Sequence, residues 1–255
     1  MAAGLDAFDM AGKTIFITGG SRGLGFEMAK GFARAGANVV IASRKLDACE
    51  EAAREVEALG RGKALPMALH VGNWDGLEAA VDAAWAHFGR IDVLVNNAGM
   101  SPTAPSIVET SEALFDKVID VNLKGPFRLA ALMGARMAAA GGGSIINISS
   151  TGAIRPQPHS APYAAAKAGL NALTTAFAFE YGPSVRVNCI MAGPFETDIS
   201  KAWSQQEKDS YTVKSGSALK RLGRPDEIVS AALYLGSDAS SYTTGAMIRV
   251  DGGLP

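Results

Sequence analysis

Thr14-Ile15-Phe16-Ile17-Thr18-Gly19-Gly20-Ser21-Arg22-Gly23-Leu24-Gly25 reads as a short β-rich run that breaks into a glycine-rich turn, and the residues after it, to Ala35, carry an amphipathic helical pattern. A strand, a glycine turn and a helix in that order can make an anion site. Glycines let the backbone approach a ligand, and the unpaired N–H groups and dipole at a helix start face negative charge. The spacing, over Gly19, Gly23 and Gly25, is G-x-x-x-G-x-G and not the commoner G-x-G-x-x-G. Taken alone, such a turn is either a phosphate cradle or only a tight strand-to-helix connection.

Asn38 to Ser43 supplies a second strand, and the residue that reads the ribose of a dinucleotide is expected at its end. An acidic side chain there suits the 2′-hydroxyl of NAD. This chain has Ser43-Arg44-Lys45, and a hydroxyl followed by a guanidinium suits a 2′-phosphate, with Arg22 approaching from the glycine turn. The expected cofactor is therefore NADP(H) in preference to NAD(H). The plainer alternative is that Arg44 and Lys45 open a solvated helix running from Lys45 to Leu59.

Further along, Ala64 to Val71 predicts a third strand and Trp74 to Phe88 a helix. Ile91 to Val95 is a nearly continuous apolar run, as a central parallel strand requires, followed by Asn96-Asn97-Ala98-Gly99 at its carboxyl end. Small residues and amides there either line a cofactor or form a turn. Ser111 to Ala140 reads as one or two helices containing Asn122. Ser144 to Ile148, ending in Ser149-Ser150, Val185 to Ile190 and Met247 to Val250 complete the strands. Strands alternating with helices argue for a parallel sheet covered on both faces.

Ser160 to Phe179 predicts a helix that carries Tyr163 and Lys167. Residues four apart share a helix face, and an ammonium near a phenol favours the phenolate and brings a tyrosine toward useful proton transfer. By itself that pair is as consistent with two surface residues.

Composition narrows the partners. With 255 residues, 48% of them hydrophobic, the chain can bury one large α/β core, read as residues 13–255 after an N-terminal extension at 1–12. Its 24 basic and 25 acidic residues leave a net charge of −1, which gives no field for nucleic acid or an anionic membrane and points to a small-molecule partner. Cys49 and Cys189 read as buried, inert thiols suited to a reducing compartment, and three scattered histidines offer no metal site. No apolar run reaches membrane-spanning length, and neither a secretory signal nor a peroxisomal or retention tripeptide is recognised, so cytoplasm is the expected location.

The ordered set Thr18-Gly19-x-x-x-Gly23-x-Gly25, Asn96-Asn97-Ala98-Gly99, Asn122, Ser150 and Tyr163-x-x-x-Lys167 resembles the short-chain dehydrogenase/reductase family, in its compact branch, from about Lys13 to Gly253. The thirteen-residue step to Tyr163 selects Ser150 and not Ser149 as the family's serine. The resemblance implies a single Rossmann-type, doubly wound α/β domain whose seven-stranded parallel sheet has the order 3-2-1-4-5-6-7. It implies a tetrad in which Tyr163 exchanges a proton with the substrate oxygen, Ser150 hydrogen-bonds that oxygen, and Lys167 binds the nicotinamide ribose and lowers the tyrosine pKa. Asn122 is expected to hold a water linking Lys167 to solvent. Cofactor contacts are expected at Gly19, Ser21, Arg22, Gly23, Leu24, Gly25, Ser43, Arg44, Lys45, His70, Val71, Asn97, Ala98 and Gly99. Gly193, Phe195 and Thr197 are expected to add contacts on the nicotinamide side.

The chain departs from the family pattern in three places. His70 stands where an Asp usually contacts adenine, leaving ring stacking or Val71 as substitutes. Ala192-Gly193-Pro194 replaces a common Pro-Gly, and Ser43 replaces the acidic residue of NAD users. His159 fits the pocket rim and not a catalytic dyad, and His87 an exposed helix end. Trp203, Phe195 and Tyr211 either line an apolar substrate pocket or pack the substrate-side segment onto the body. The resemblance further implies a homotetramer or dimer built on the helices around Asn122 to Ala140 and Ser160 to Tyr181. The expected reaction interconverts a ketone or aldehyde and an alcohol. One alternative is 3-oxoacyl-thioester reduction, for which a basic patch of Arg155, Lys201 and Lys208 would speak; another is a catalytically silent dinucleotide sensor.

Overall fold

The computed structural model describes residues 4–59, 62–197, 206 and 216–255. Its strands are β1 (Thr14–Thr18), β2 (Asn38–Ser43), β3 (Ala64–Ala68), β4 (Val93–Asn96), β5 (Gly143–Ser150), β6 (Val185–Ala192) and β7 (Met247–Val250). The described helices are α1 (Gly23–Arg34), α2 (Leu46–Glu57), α3 (Gly76–Phe88), α4 (Glu112–Ile119), α5 (Gly125–Ala139), α6 (Ala161–Tyr181) and α7 (Val229–Gly236). All strand pairs are parallel, in the order β3-β2-β1-β4-β5-β6-β7. That is the doubly wound order expected.

Strand side chains alternate between two cores, as the pleat dictates. Ile15 and Ile17 of β1 join Met28 and Phe32 of α1, Ala52 of α2 and Leu235 of α7 on one face. Phe16 joins Leu77 and Val81 of α3, Leu129 and Met133 of α5 and Phe177 of α6 on the other. β4 is buried along its whole length, as expected of a strand covered on both faces. In α2 the buried positions Cys49, Ala52, Ala53 and Val56 follow the helical repeat, while Lys45 and Asp47 stay in solvent. Each fully buried large apolar side chain contributes about 1.5–3 kcal/mol, so this two-sided core fixes the strands whose carboxyl ends carry the site. The segment before β1 packs on the body, with Ala7 and Met10 buried and Met10 N–H donating to the Ala35 carbonyl at 2.9 Å.

Several boundaries differ from expectation for local reasons. β3 ends at Ala68 because the chain turns at His70, whose carbonyl accepts from Asn73 N–H at 2.9 Å and whose Nδ1 accepts from Gly72 N–H at 3.1 Å. α3 starts at Gly76 after that turn and not at Trp74. β4 runs one residue further than the apolar pattern, to Asn96, and β5 runs on to Ser150, carrying both serines to the sheet edge. The stretch from Ser111 to Ala140 is two helices joined by a π turn at Asp120–Lys124. Ser111 caps the first of them by accepting from Leu114 N–H at 3.2 Å.

Candidate active site

The carboxyl edge opens where the strand order reverses, between β1 and β4, and the glycine turn lies there. Gly19 and Gly23 have φ of +65° and +56°, a region that side chains other than glycine avoid. A Cβ on Gly25 would lie 2.3 Å from the Gly19 carbonyl oxygen and 2.4 Å from Asn97 Nδ2, so the turn closes tightly on itself. Above Gly23 a Cβ would meet nothing within 4 Å, and α1 begins there without a cap hydrogen bond from the side chain of its N-cap residue, Arg22. This helix start behind a glycine-rich backbone fits the pyrophosphate of a dinucleotide.

Thr18 and Asn97 lock the crevice. Thr18 Oγ1 accepts from the N–H groups of both Asn97 and Ala98 at 3.0 Å, and Asn97 Nδ2 donates to the carbonyls of Thr18 at 2.9 Å and Gly19 at 3.2 Å. Asn97 thus tethers the turn rather than offering its amide hydrogens to a ligand. At the end of β2, Ser21 donates to Ser43 at 2.9 Å, and Arg22, Arg44 and Lys45 are exposed. Leu24 is half-buried in the first turn of α1. His70 is exposed with its ring nitrogen turned onto Gly72, while Val71 is buried.

The tetrad residues converge from three elements. Ser150 ends β5 in an extended conformation, half-buried, and accepts from Gly152 N–H at 3.0 Å. Tyr163 and Lys167 lie one turn apart near the start of α6, with Lys167 Nζ 5.8 Å from the Tyr163 ring centroid. Lys167 is buried and donates to the Ile148 carbonyl at 2.8 Å, while Ser149 Oγ donates to the Lys167 carbonyl at 3.2 Å. Asn122 is fully buried on the π turn, donating to the carbonyls of Met100 and Val118, both at 2.9 Å, and accepting from Met100 N–H at 3.2 Å. Its side-chain hydrogens are both taken, so a water serving Lys167 is not held by them. Gly99 fits between these groups because it has no side chain: its Cβ would stand 2.9 Å from Asn122 Oδ1 and 3.6 Å from Lys167 Nζ.

Burial governs the titrations. It lowers Lys167 to about 8, since a charged amine loses its water there. It raises the Tyr163 phenol above its ordinary value, with a hydrogen bond to Ser150 pulling the other way. The lowering of Tyr163 by Lys167 that the family resemblance implies is not part of this balance, because the ammonium is directed to the Ile148 carbonyl. Cys189, below Lys167 on β6, is pushed up to about 11 by burial, and its thiol donates to Asn171 Oδ1 at 3.4 Å.

On the nicotinamide side, Gly193 N–H donates to the Val250 carbonyl at 2.9 Å, and Asp251 occupies the space a Gly193 side chain would need. Phe195 is buried in the core beside α1 and α7 and bridges to Gly223, so its ring packs the body, and Thr197 is half-buried. His159 is exposed, its carbonyl accepting from Ala104 N–H at 2.9 Å; His87 is exposed near the end of α3. Arg155 is exposed near the site, whereas Lys201, Trp203, Lys208 and Tyr211 lie outside the described residues. Among the described residues no group of three potential metal ligands comes together, and no helix is long and apolar enough to cross a membrane.

Sequence reading passed over a buried polar ladder behind the site. Asn96 Nδ2 donates to Asn147 Oδ1 at 3.0 Å, Asn147 Nδ2 to Thr174 Oγ1 at 2.9 Å, and Thr174 to the Leu170 carbonyl at 2.9 Å. It ties β4 and β5 to α6, the helix that carries Tyr163 and Lys167. Its signal was available in Asn147, a polar residue inside the apolar run from Ile145 to Ile148.

The model of the family described as "Enoyl-(Acyl carrier protein) reductase" matches residues 19–255. The short chain dehydrogenase/reductase astE of Aspergillus oryzae is 40% identical over 252 residues, covering 97% of this chain and 96% of its own. The 3-oxoacyl-[acyl-carrier-protein] reductase FabG of Chlamydia trachomatis is 40% identical over 247 residues, covering 96% and 98% respectively. Among solved structures, the NADPH-dependent 3-quinuclidinone reductase of Rhodotorula rubra superposes with a TM-score of 0.90 at 30% identity, over 100% of this chain and 97% of that one. The crevice geometry and these full-length matches agree, and the chain belongs to the short-chain dehydrogenase/reductase family, whose oxidoreductases bind a nicotinamide dinucleotide.

Proposed function

We propose that the protein is an NADP(H)-dependent carbonyl reductase or secondary alcohol dehydrogenase. The observation that carries this reading is the meeting of Ser150 and Tyr163 beside the buried amine of Lys167, at the mouth of a crevice whose glycine turn fits a dinucleotide. The glycine turn and the start of α1 hold the pyrophosphate, Ser43 and Arg44 face the adenosine ribose, and Lys167 reaches the other ribose. A nicotinamide cofactor bound there gives or takes the hydride. Tyr163 delivers its phenolic proton to the substrate oxygen during reduction and recovers it during oxidation, and Ser150 donates a hydrogen bond that fixes that oxygen beside the phenol. Lys167, held against the Ile148 carbonyl, orients the nicotinamide ribose beside the phenol, which keeps its proton until the substrate oxygen takes it. The preference for NADP(H) rests on Ser43-Arg44-Lys45, which carries a hydroxyl and two exposed cations and no carboxylate.

The partner in this proposal is a small carbonyl compound or alcohol in the cytoplasm. The chain acts as a homotetramer or dimer through the faces of α5 and α6, where Phe127 and Phe179 stand exposed. A second reading, reduction of a 3-oxoacyl group on a carrier, is favoured by the 40% identity to FabG and by the description of the matching family. The deciding experiment follows NADPH and NADH oxidation with ketones, aldehydes, diketones, sugars, steroids and acyl thioesters, using wild type and Tyr163→Phe. The proposal expects NADPH-linked turnover of free carbonyls that Tyr163→Phe abolishes while NADPH binding stays nearly intact. Turnover confined to acyl thioesters selects the second reading. Absence of oxidation across the panel indicates a silent sensor, and a Tyr163→Phe variant that keeps its activity removes the phenol from the mechanism.

A further inference from the structure

Three polar side chains stand in line at the end of β2. Ser21 Oγ donates to Ser43 Oγ at 2.9 Å, Ser43 Oγ lies 3.1 Å from Cys49 Sγ, and the Cys49 thiol donates to the Met67 carbonyl at 3.4 Å. Ser21 sits in the glycine turn, Ser43 at the tip of β2, Cys49 fully buried on the inner face of α2, and Met67 in β3. A carbonyl only accepts, so a thiol hydrogen resting on Met67 leaves the sulfur as acceptor for the Ser43 hydrogen. Ser43 in turn accepts from Ser21, and every hydrogen in the line then points inward.

We propose that Cys49 is a positioning residue for Ser43 that tempers the preference of the site for a 2′-phosphorylated adenosine ribose over an unphosphorylated one. The inference rests on the reading that Ser43 and Arg44 face that ribose. Phosphate oxygens accept hydrogen bonds, so Ser43 must turn its hydrogen outward to meet a 2′-phosphate and give up the sulfur. A ribose hydroxyl also donates, so it pairs with the Ser43 oxygen while the hydrogen stays on the sulfur. The sulfur is a weak acceptor and yields the hydrogen at small cost. The thiol therefore narrows the advantage that Arg44 gives the phosphate and does not abolish it.

The test needs no substrate. NADPH and NADH are titrated by cofactor fluorescence into wild type, Cys49→Val and Cys49→Ser, and the ratio Kd(NADH)/Kd(NADPH) is compared. Cys49→Val removes the inward acceptor and raises the ratio by about twofold to threefold, the worth of one weak hydrogen bond. Cys49→Ser supplies a hydroxyl acceptor in its place and keeps the ratio at or below that of wild type. A simple packing defect weakens both nucleotides together and leaves the ratio where it was. An unchanged or lowered ratio in Cys49→Val, or an equal rise in Cys49→Ser, overturns the inference; should the valine variant fail to fold, Cys49→Ala is read the same way. Ser43→Asp, measured alongside, separates the two levels. It lowers the ratio if Ser43 meets the ribose, and a flat Cys49→Val then removes the role of the thiol alone. A flat Ser43→Asp overturns the ribose reading and this inference with it.

Discussion

Keeping Lys167 charged inside the protein has a cost that can be measured as a dependence of stability on pH. Its amine is buried, with Nζ on the Ile148 carbonyl, and burial lowers its pKa from the ordinary 10.5 to about 8. That gap corresponds to about 3 kcal/mol in favour of the neutral amine in the folded chain. Between the two values the unfolded chain binds the proton and the folded chain does not, so stability rises as the pH climbs from about 8 toward 10.5 and falls as it drops through 8. Lys167→Met keeps the length and removes the titration. It also loses the bond to Ile148, an offset that does not change with pH. Urea unfolding of both cofactor-free proteins from about pH 7 to about pH 9.5 should show wild type gaining about 2 kcal/mol on the variant, most of the full difference. Cys189, pushed to about 11, remains protonated in both folded proteins over this range and cancels. Parallel stability curves would show that the amine is not desolvated as described.

Gly25→Ala forces a methyl group to within 2.3 Å of the Gly19 carbonyl oxygen, and should cost about 1–3 kcal/mol in urea unfolding while weakening NADPH binding by fluorescence titration. Thr174→Val keeps the shape but leaves Asn147 Nδ2 without its acceptor at 2.9 Å, and should lower stability by about 1–3 kcal/mol, whereas an unchanged midpoint would mean the ladder is not needed. Asn122→Ala orphans the Met100 N–H and two carbonyls, so thermal unfolding should shift down by an amount equivalent to about 1–3 kcal/mol and the turnover number should fall with it.

The sheet was legible because its strands are short apolar runs separated by helical periodicity, and β4 and β7 stand within a residue or two of where their patterns place them. The boundaries that moved did so through tertiary contacts no local pattern carries. β3 stops where the His70 ring accepts from Gly72, and β5 continues to Ser150 because it pairs with β6 along its whole length. In the site, the spacing of Tyr163 and Lys167 was visible as one helix face. What holds them was not: the π turn under Asn122 and the ladder through Asn147 and Thr174 depend on partners far away in the chain. The titration of Tyr163 also escaped the sequence, because nearness of a lysine can be read from spacing whereas loss of water cannot.

The lock between Thr18 and Asn97 joins residues 79 positions apart, and its neighbours between the same strands span almost as far. During synthesis β1 can pair with β2 as soon as both have emerged, but the crevice has no second wall until β4 follows it. At translation rates of about 5–20 residues per second the 79 residues from Thr18 to Asn97 take about 4–16 s, during which one edge of β1 stays open. The nucleotide crevice is therefore a late product of folding, and a chaperone that shields the young chain would be covering the edge of β1 that β4 later takes.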